Sequence, residues 1–299
     1  MALKKLSHQD KKIFTRYLKK GGHELSVYTF ENIYIWKDIY DISWELINSR
    51  LGVFFKDKIG CFLYLAPLGD APDPSTLGEV FRIMDRFNKN REISRIENIE
   101  EPEAKAYQDL GYEVREKFPE YVCLRHELAE LKGNKYKHKR ALCNHFVKNY
   151  SYEYVPYSRK YRQDCLKLYN SWMRERKLKN EDPMYRYMLL DSRICIKTLL
   201  GGYRYLNCIG RVVKVNGRVK AFTFGFEVNS DTFAIVYEIT DLSARGLSQF
   251  IFREFCSDMK PYKFINIMDD SGIENLKKAK LSYHPARLVR SYIARRKNA

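Results

Sequence analysis

Apolar residues recur at spacings of three and four in some stretches of this chain and at spacings of two in others, and the two periods mark out its elements. Residues 7–20, SHQDKKIFTRYLKK, form a predicted helix opened by Ser7 with an acid three positions on. Gly21-Gly22 stops it. The aromatic-rich segments 25–36 and 41–68 follow as extended structure, the second alternating through Ile42, Trp44 and Leu46 and breaking into two or three strands. Leu77, Val80, Phe81 and Met84 share one helical face over 75–90, a helix with Ser75 as its expected cap. A strand over 91–99, a short helix over 100–111 with Pro102 in its first turn and Gly111 at its end, and strand character over 112–128 complete the first half.

The second half repeats that order. Residues 152–158 are a predicted strand, 159–177 and 183–200 are helices, and 208–228 is a hairpin turning at Asn216-Gly217. A buried strand over 231–240, a helix over 245–259, a strand over 263–270, a helix over 272–283 and a final strand over 286–296 end the chain. Each half thus runs helix, strands, helix, strand, helix, strand, without a residue-level repeat. Between them LKGNKYKHKRALCNHFVKNY (131–150) holds six lysines and arginines and no acid. The expected layout is a domain over 1–130, a basic linker helix over 131–150 and a second domain over 151–299.

Composition narrows the function classes. With 299 residues and 45% hydrophobic positions the chain can bury two cores. A formal net charge of +17 favours polyanionic partners such as nucleic acid, anionic lipid or phosphorylated cofactors. Seven dispersed cysteines without a C-x-x-C pair fit reduced, buried thiols, with neither a disulfide frame nor a metal site. No apolar leader opens the sequence and no run of about 18 apolar residues interrupts it, so a cytoplasmic protein is expected.

Several stretches carry candidate chemistry. The strand ending at Thr240 runs into a turn, Arg245-Gly246-Leu247-Ser248, and then a helix. Such a turn aims backbone N–H groups and the positive helix end at an anion, so these four residues are candidates for holding a phosphate-bearing cofactor. Glu238 is a candidate general base or a structural ion-pair partner, with Asp241 close behind. Asp269-Asp270 is a second acidic candidate, although Asp-Asp-Ser-Gly suits a helix cap better. Lys280 is either a charge donor to a developing oxyanion or a solvated helix position. Lys135, Lys137, Lys139 and Arg140 either track nucleic-acid phosphates or coat a surface while Leu142 and Phe146 pack inward. Tyrosines over 150–161 and 185–205 can stack on bases or pack in cores.

Two of these stretches also carry a resemblance. The run LKGNKYKHKRALCNHF and the tail DDSGIENLKKAKLSYHPARL, with its K-x-x-x-x-P from Lys280 to Pro285, resemble the uncharacterised bacterial family related to the C-terminal domain of phosphatidylglycerol lysyltransferase. The strand–turn–helix–strand–helix–strand order is also similar to the GNAT acyltransferase core, whose pyrophosphate turn has several glycines where this chain has Gly246 alone. The resemblance implies an α+β fold of two tandem GNAT-like domains, shared with Fem-type aminoacyltransferases. It implies a cleft between the strands ending at Thr240 and Asp270, an acid at Glu238 or Asp241, and the lysine before the proline at Lys280. It further implies acyl transfer without a tightly bound cofactor, from an aminoacyl-tRNA first and an acyl-CoA second, to a small-molecule, peptide or lipid acceptor. A non-catalytic binding protein and a plain nucleic-acid binder are the competing classes. The first domain is expected to be structural, because its turn LGDAPDPST (68–76) brings prolines and acids where a phosphate would sit.

Overall fold

The computed structural model describes residues 3–69 and 71–297. The chain folds as two compact units, neither a continuous half of the sequence. The first comprises the chain up to Glu120, Asp269–Gly272 and the stretch from Leu288 onward; the second comprises Tyr121–Met268 and Ile273–Arg287. Both are α+β modules of similar construction, a seven-stranded sheet packed with helices.

In the first unit the sheet order is Lys4–Lys5, Asp41–Ile47, Arg50–Lys56, Cys61–Leu63, Arg95–Glu100, Ser291–Arg296, Tyr112–Glu116. The predicted Ser7 cap forms: the Ser7 amide donates to Asp10 Oδ2 at 2.7 Å, ahead of the helix Lys11–Leu18. The long helix is Pro74–Phe87, and its cap is Asp73, not Ser75. Asp73 Oδ1 accepts from the Thr76 amide at 2.9 Å and Pro74 takes the first helical position. Asp70, the other acid of that turn, lies outside the described residues. The segment 25–36 is not extended. Thr29 accepts from the Asn32 amide and starts the helix Phe30–Ile35, every residue of which is buried. Burial on all sides erases the periodicity that would have revealed it.

Two segments that look like single strands divide between sheets. Residues 112–128 break at Pro119, which lacks an N–H, into Tyr112–Glu116 in one sheet and Glu120–Leu124 in the other. The tail breaks at Arg290 into Arg287–Val289 and Ser291–Arg296, again in different sheets. Alternation reports which face a residue takes, not which sheet it joins.

The second sheet runs Arg287–Val289, Glu120–Leu124, Phe264–Asn266, Thr232–Thr240, Arg218–Asn229, Cys208–Val215, Tyr152–Pro156. Asn216 and Gly217 both take positive φ, 49° and 75°, as the hairpin signal requires. Helix Lys137–Asn149 is not a linker; it belongs to this unit and packs Phe146 against Phe250 of the helix Leu247–Asp258. Gly246 permits that packing. Its φ is +85°, and a Cβ there would collide with the Leu142 carbonyl.

Each unit contains a parallel strand pair joined through a helix. In the first, Cys61–Leu63 meets Arg95–Glu100 only at Leu63 and Ile96. Just beyond, the Asn98 amide donates to the Tyr64 carbonyl at 2.8 Å and the Tyr28 hydroxyl donates to the Asn98 carbonyl at 2.7 Å, so side chains stitch this gap shut. In the second, Thr232–Thr240 meets Phe264–Asn266 at Thr232, Phe233 and Ala234, after which the shorter strand ends. The longer strand continues for six residues without that neighbour.

Two outcomes follow. Gly246→Ala is expected to destabilise the protein by about 2–4 kcal/mol, combining left-handed backbone strain with overpacking against a helix carbonyl; chemical denaturation measures it. Truncation after Arg290 removes an interior strand of the first sheet, so hydrogen exchange should accelerate in Arg95–Glu100 and Tyr112–Glu116 and change least in Thr232–Thr240.

Candidate functional site

Glu238 lies on the stretch of Thr232–Thr240 that runs on past its parallel neighbour. A β-bulge decides where it points. Phe224 pairs with Tyr237 but Gly225 pairs with Ile235, so Val236 is the extra residue. The insertion reverses the alternation. Glu238 therefore shares a face with Phe233 and Ile235, toward the helix Leu247–Asp258, while Tyr237 turns to the other face. There Ser248, in the first turn of that helix, donates its hydroxyl to Glu238 Oε1 at 2.8 Å.

Glu238 keeps part of its surface exposed, yet protein crowds its carboxyl. Burial pushes its pKa up to about 7 against the opposing pull of the Ser248 hydrogen bond and the Lys139 ammonium. Lys139 is itself drawn down by burial. It donates to Ser282 Oγ at 2.8 Å and stands 3.7 Å from the centre of the Tyr283 ring. The Tyr283 phenol is raised, first by burial and then by the charge of Glu238. Carboxyl, ammonium, hydroxyl and phenol thus converge from four elements of one unit.

The anticipated residues separate into those that join this group and those that do not. Glu238 and Ser248 join it. Lys139 joins it too, in a role the sequence reading had not assigned: it had been placed with the phosphate-tracking lysines. Lys139, Cys143 and Phe146 stand at i, i+4 and i+7, the inward face of their helix, with Cys143 and Phe146 fully buried. That spacing was available in the sequence.

Lys280 is buried, not solvated, and its ammonium donates to the Ile267 carbonyl, just past the point where the short strand parts from Thr232–Thr240 while still bonded to Tyr121 on its other side. Asp241 pairs with Lys220 at 2.5 Å and accepts from the Ser243 hydroxyl. Burial would raise its carboxyl, but those donors together hold it below the usual range. Asp269 and Asp270 belong to the first unit and do not cap the helix Glu274–Leu281. They accept from the Ser271 and Gly272 amides at 2.7 and 2.8 Å, each two residues on.

In the anticipated anion turn, Leu247 is buried in the core, Arg245 is exposed with its amide donating to the Tyr150 hydroxyl, and Gly246 faces Leu142. Of the basic candidates, Lys135 pairs with Glu127 at 2.7 Å and Arg140 donates to the Leu131 and Gly133 carbonyls, leaving Lys137 exposed. All seven cysteines are buried and none is in a disulfide. Among the described residues no three His, Cys, Asp or Glu gather as metal ligands, and no helix is long and apolar enough to cross a membrane.

No curated protein matches the chain. Among solved structures, a conserved protein of unknown function from Bacteroides thetaiotaomicron VPI-5482 is 26% identical with a TM-score of 0.87, over 99% of this chain and 100% of that one. L-PGS from Bacillus licheniformis is 15% identical with a TM-score of 0.69, over 100% and 95%. FemX is 8% identical with a TM-score of 0.61, over 100% and 98%. The last two likenesses concern the fold alone, which also loosely resembles GNAT-type acetyltransferases at low sequence identity. The family described as phosphatidylglycerol lysyltransferase, C-terminal, matches residues 18–295, and the chain belongs to that family.

Proposed function

We propose that this protein transfers an aminoacyl group from a charged tRNA to an amine or hydroxyl acceptor, in a cytoplasmic setting, with Glu238 as general base. The observation that carries the reading is geometric: the Glu238 carboxyl lies on the length of a central strand that runs past its parallel neighbour, bonded to the Ser248 hydroxyl and within the field of the Lys139 ammonium, and burial pushes it up to about 7. The ester of a charged tRNA is already activated. The acceptor nitrogen or oxygen attacks its carbonyl carbon, the acceptor's proton passes to Glu238, and the bond from that carbon to the ribose oxygen breaks as that oxygen takes the proton from Glu238, releasing uncharged tRNA and restoring the carboxylate. Lys139 is suited to meet the developing negative charge. Lys280 acts through position, fixing the end of the strand that bounds the gap.

The packing around Gly246 favours tRNA over acyl-CoA as donor. The turn where a cofactor pyrophosphate would dock lies against helix Lys137–Asn149. The stitched gap of the first unit supports a structural part for that module.

Transfer from charged tRNA should be slow below pH 7 and rise to a plateau above it, because the base must be ionised. Glu238→Gln should lower the rate by about 10²–10⁴-fold and remove that limb. Lys139→Met should move the limb to higher pH, since the ammonium helps hold Glu238 ionised. A flat profile, near-normal turnover of the Gln variant, or product formed from acyl-CoA without tRNA would each overturn the reading.

Stability gives an independent check. The folded pKa of Glu238 lies above its unfolded value, so its contribution is fully present below the unfolded pKa and is lost as pH rises through about 7. Ionised Glu238 then weighs against folding by about 3 kcal/mol. Glu238→Gln escapes this, so its stability relative to the parent should increase between pH 5 and pH 8, read as the difference in denaturation midpoint.

A further inference from the structure

The helical hairpin of the second unit, Arg162–Lys179 and Pro183–Gly202, presents an apolar tip that the transfer reading does not use. A connection of three residues makes the helices antiparallel neighbours, so Leu178 and Met184 share one end. Leu178 is 86% exposed and Met184 is 66% exposed. Tyr187 and Leu190 continue from Met184 at steps of three, 65% and 40% exposed. Single exposed apolar residues are ordinary; a large aliphatic tip continued by a stripe marks an interaction surface.

Charge identifies what covers it. Between Arg159 and Arg204 there are twelve lysines and arginines against five acids. Apart from Lys167, 3.8 Å from Asp164, none of the twelve pairs with a carboxylate among the described residues. Arg174, Arg176, Lys177 and Lys179 flank Leu178 on its own helix, and Arg186 follows Met184 on the next. An apolar tip collared by cations suits a bilayer with anionic headgroups, where the aliphatic groups enter the acyl boundary and the cations meet phosphates. Nucleic acid would satisfy the cations but offers exposed leucine and methionine nothing comparable.

We infer that this hairpin tip docks the protein peripherally on anionic membrane surfaces, as a contact with the bilayer and not with one specific headgroup. Docking is independent of the transfer reading and survives its failure. The test is co-sedimentation of the full chain with three vesicle types: phosphatidylcholine alone, and equal mixtures of phosphatidylcholine with phosphatidylserine or with phosphatidylglycerol. Both anionic mixtures should bind comparably, more tightly than phosphatidylcholine, and less so as salt rises. Replacing Leu178, Met184 and Tyr187 together by Ser should weaken binding by more than about tenfold, because their apolar area no longer leaves water. A Leu178→Trp reporter should shift to shorter emission wavelength on docking; retained far-ultraviolet circular dichroism would establish that each variant is folded. The inference is overturned if no vesicle binds, if the serine variant binds anionic vesicles unchanged, if only one anionic headgroup is recognised, or if the variant instead loses tRNA binding or self-association.

Discussion

The second module is organised by the early end of one strand. Phe264–Asn266 pairs with Thr232–Thr240 for three residues and then departs, and the departure is held in place. Met268 takes a positive φ of 65°, and the buried Lys280 ammonium binds the Ile267 carbonyl. A buried ammonium needs its partners, and a carbonyl that has lost its parallel neighbour needs a donor. Each satisfies the other here, so the parting of the strands is a bonded feature of the fold and not a frayed edge.

The bulge at Val236 decides which side chain this backbone arrangement presents to the helix Leu247–Asp258. Without it Glu238 would face the helices on the opposite side of the sheet, among Tyr169 and Cys195, which surround Tyr237. With it the carboxyl meets Ser248 and the field of Lys139. The first module shows the contrasting solution. There the parallel pair is shorter still, yet Asn98 and Tyr28 close the space beyond it with hydrogen bonds. Similar element order thus supports one closed strand pair and one that leaves an edge free, and a few side chains make the difference.

Much of this was legible in the sequence, and the failures have physical causes. The Asn216-Gly217 hairpin, the Ser7 cap, the strand carrying Glu238 and the order of elements follow from local chemistry. The exchange of Glu120–Leu124 and Ser291–Arg296 between sheets does not, because strand pairing is settled by partners far away in sequence. The bulge was invisible for the same reason: Phe233–Tyr237 is a continuous apolar run that gives neither face away until its neighbour defines the register. The place of Lys139 beside Glu238 is hidden in the charge run of 131–150, because charge along the chain does not report helical faces. For Lys280 the sequence leaves a charge donor and a solvated helix position both open, because nothing local predicts that a helix of eight residues will bury its penultimate one.

Burial raises Glu238, as it raises Glu103 and Asp191, and what sets Glu238 apart is its setting between a hydroxyl and an ammonium that bonds elsewhere. This protein does contain half-buried carboxylates held by cations for structure, and they behave otherwise. Glu97 is desolvated, yet Lys117 and Arg95, each bonded directly to it, bring it below the ordinary value. Asp241 does the same with Lys220. A direct ion pair keeps a carboxylate ionised and couples its charge to folding. Glu238 accepts from a neutral hydroxyl, while its nearby ammonium bonds elsewhere, to Ser282. The ammonium tempers the rise without abolishing it, and the carboxyl is left able to gain and lose a proton near neutrality. Such a group is a poor structural anchor, since its ionisation works against the fold, and a suitable proton acceptor for an attacking amine or hydroxyl.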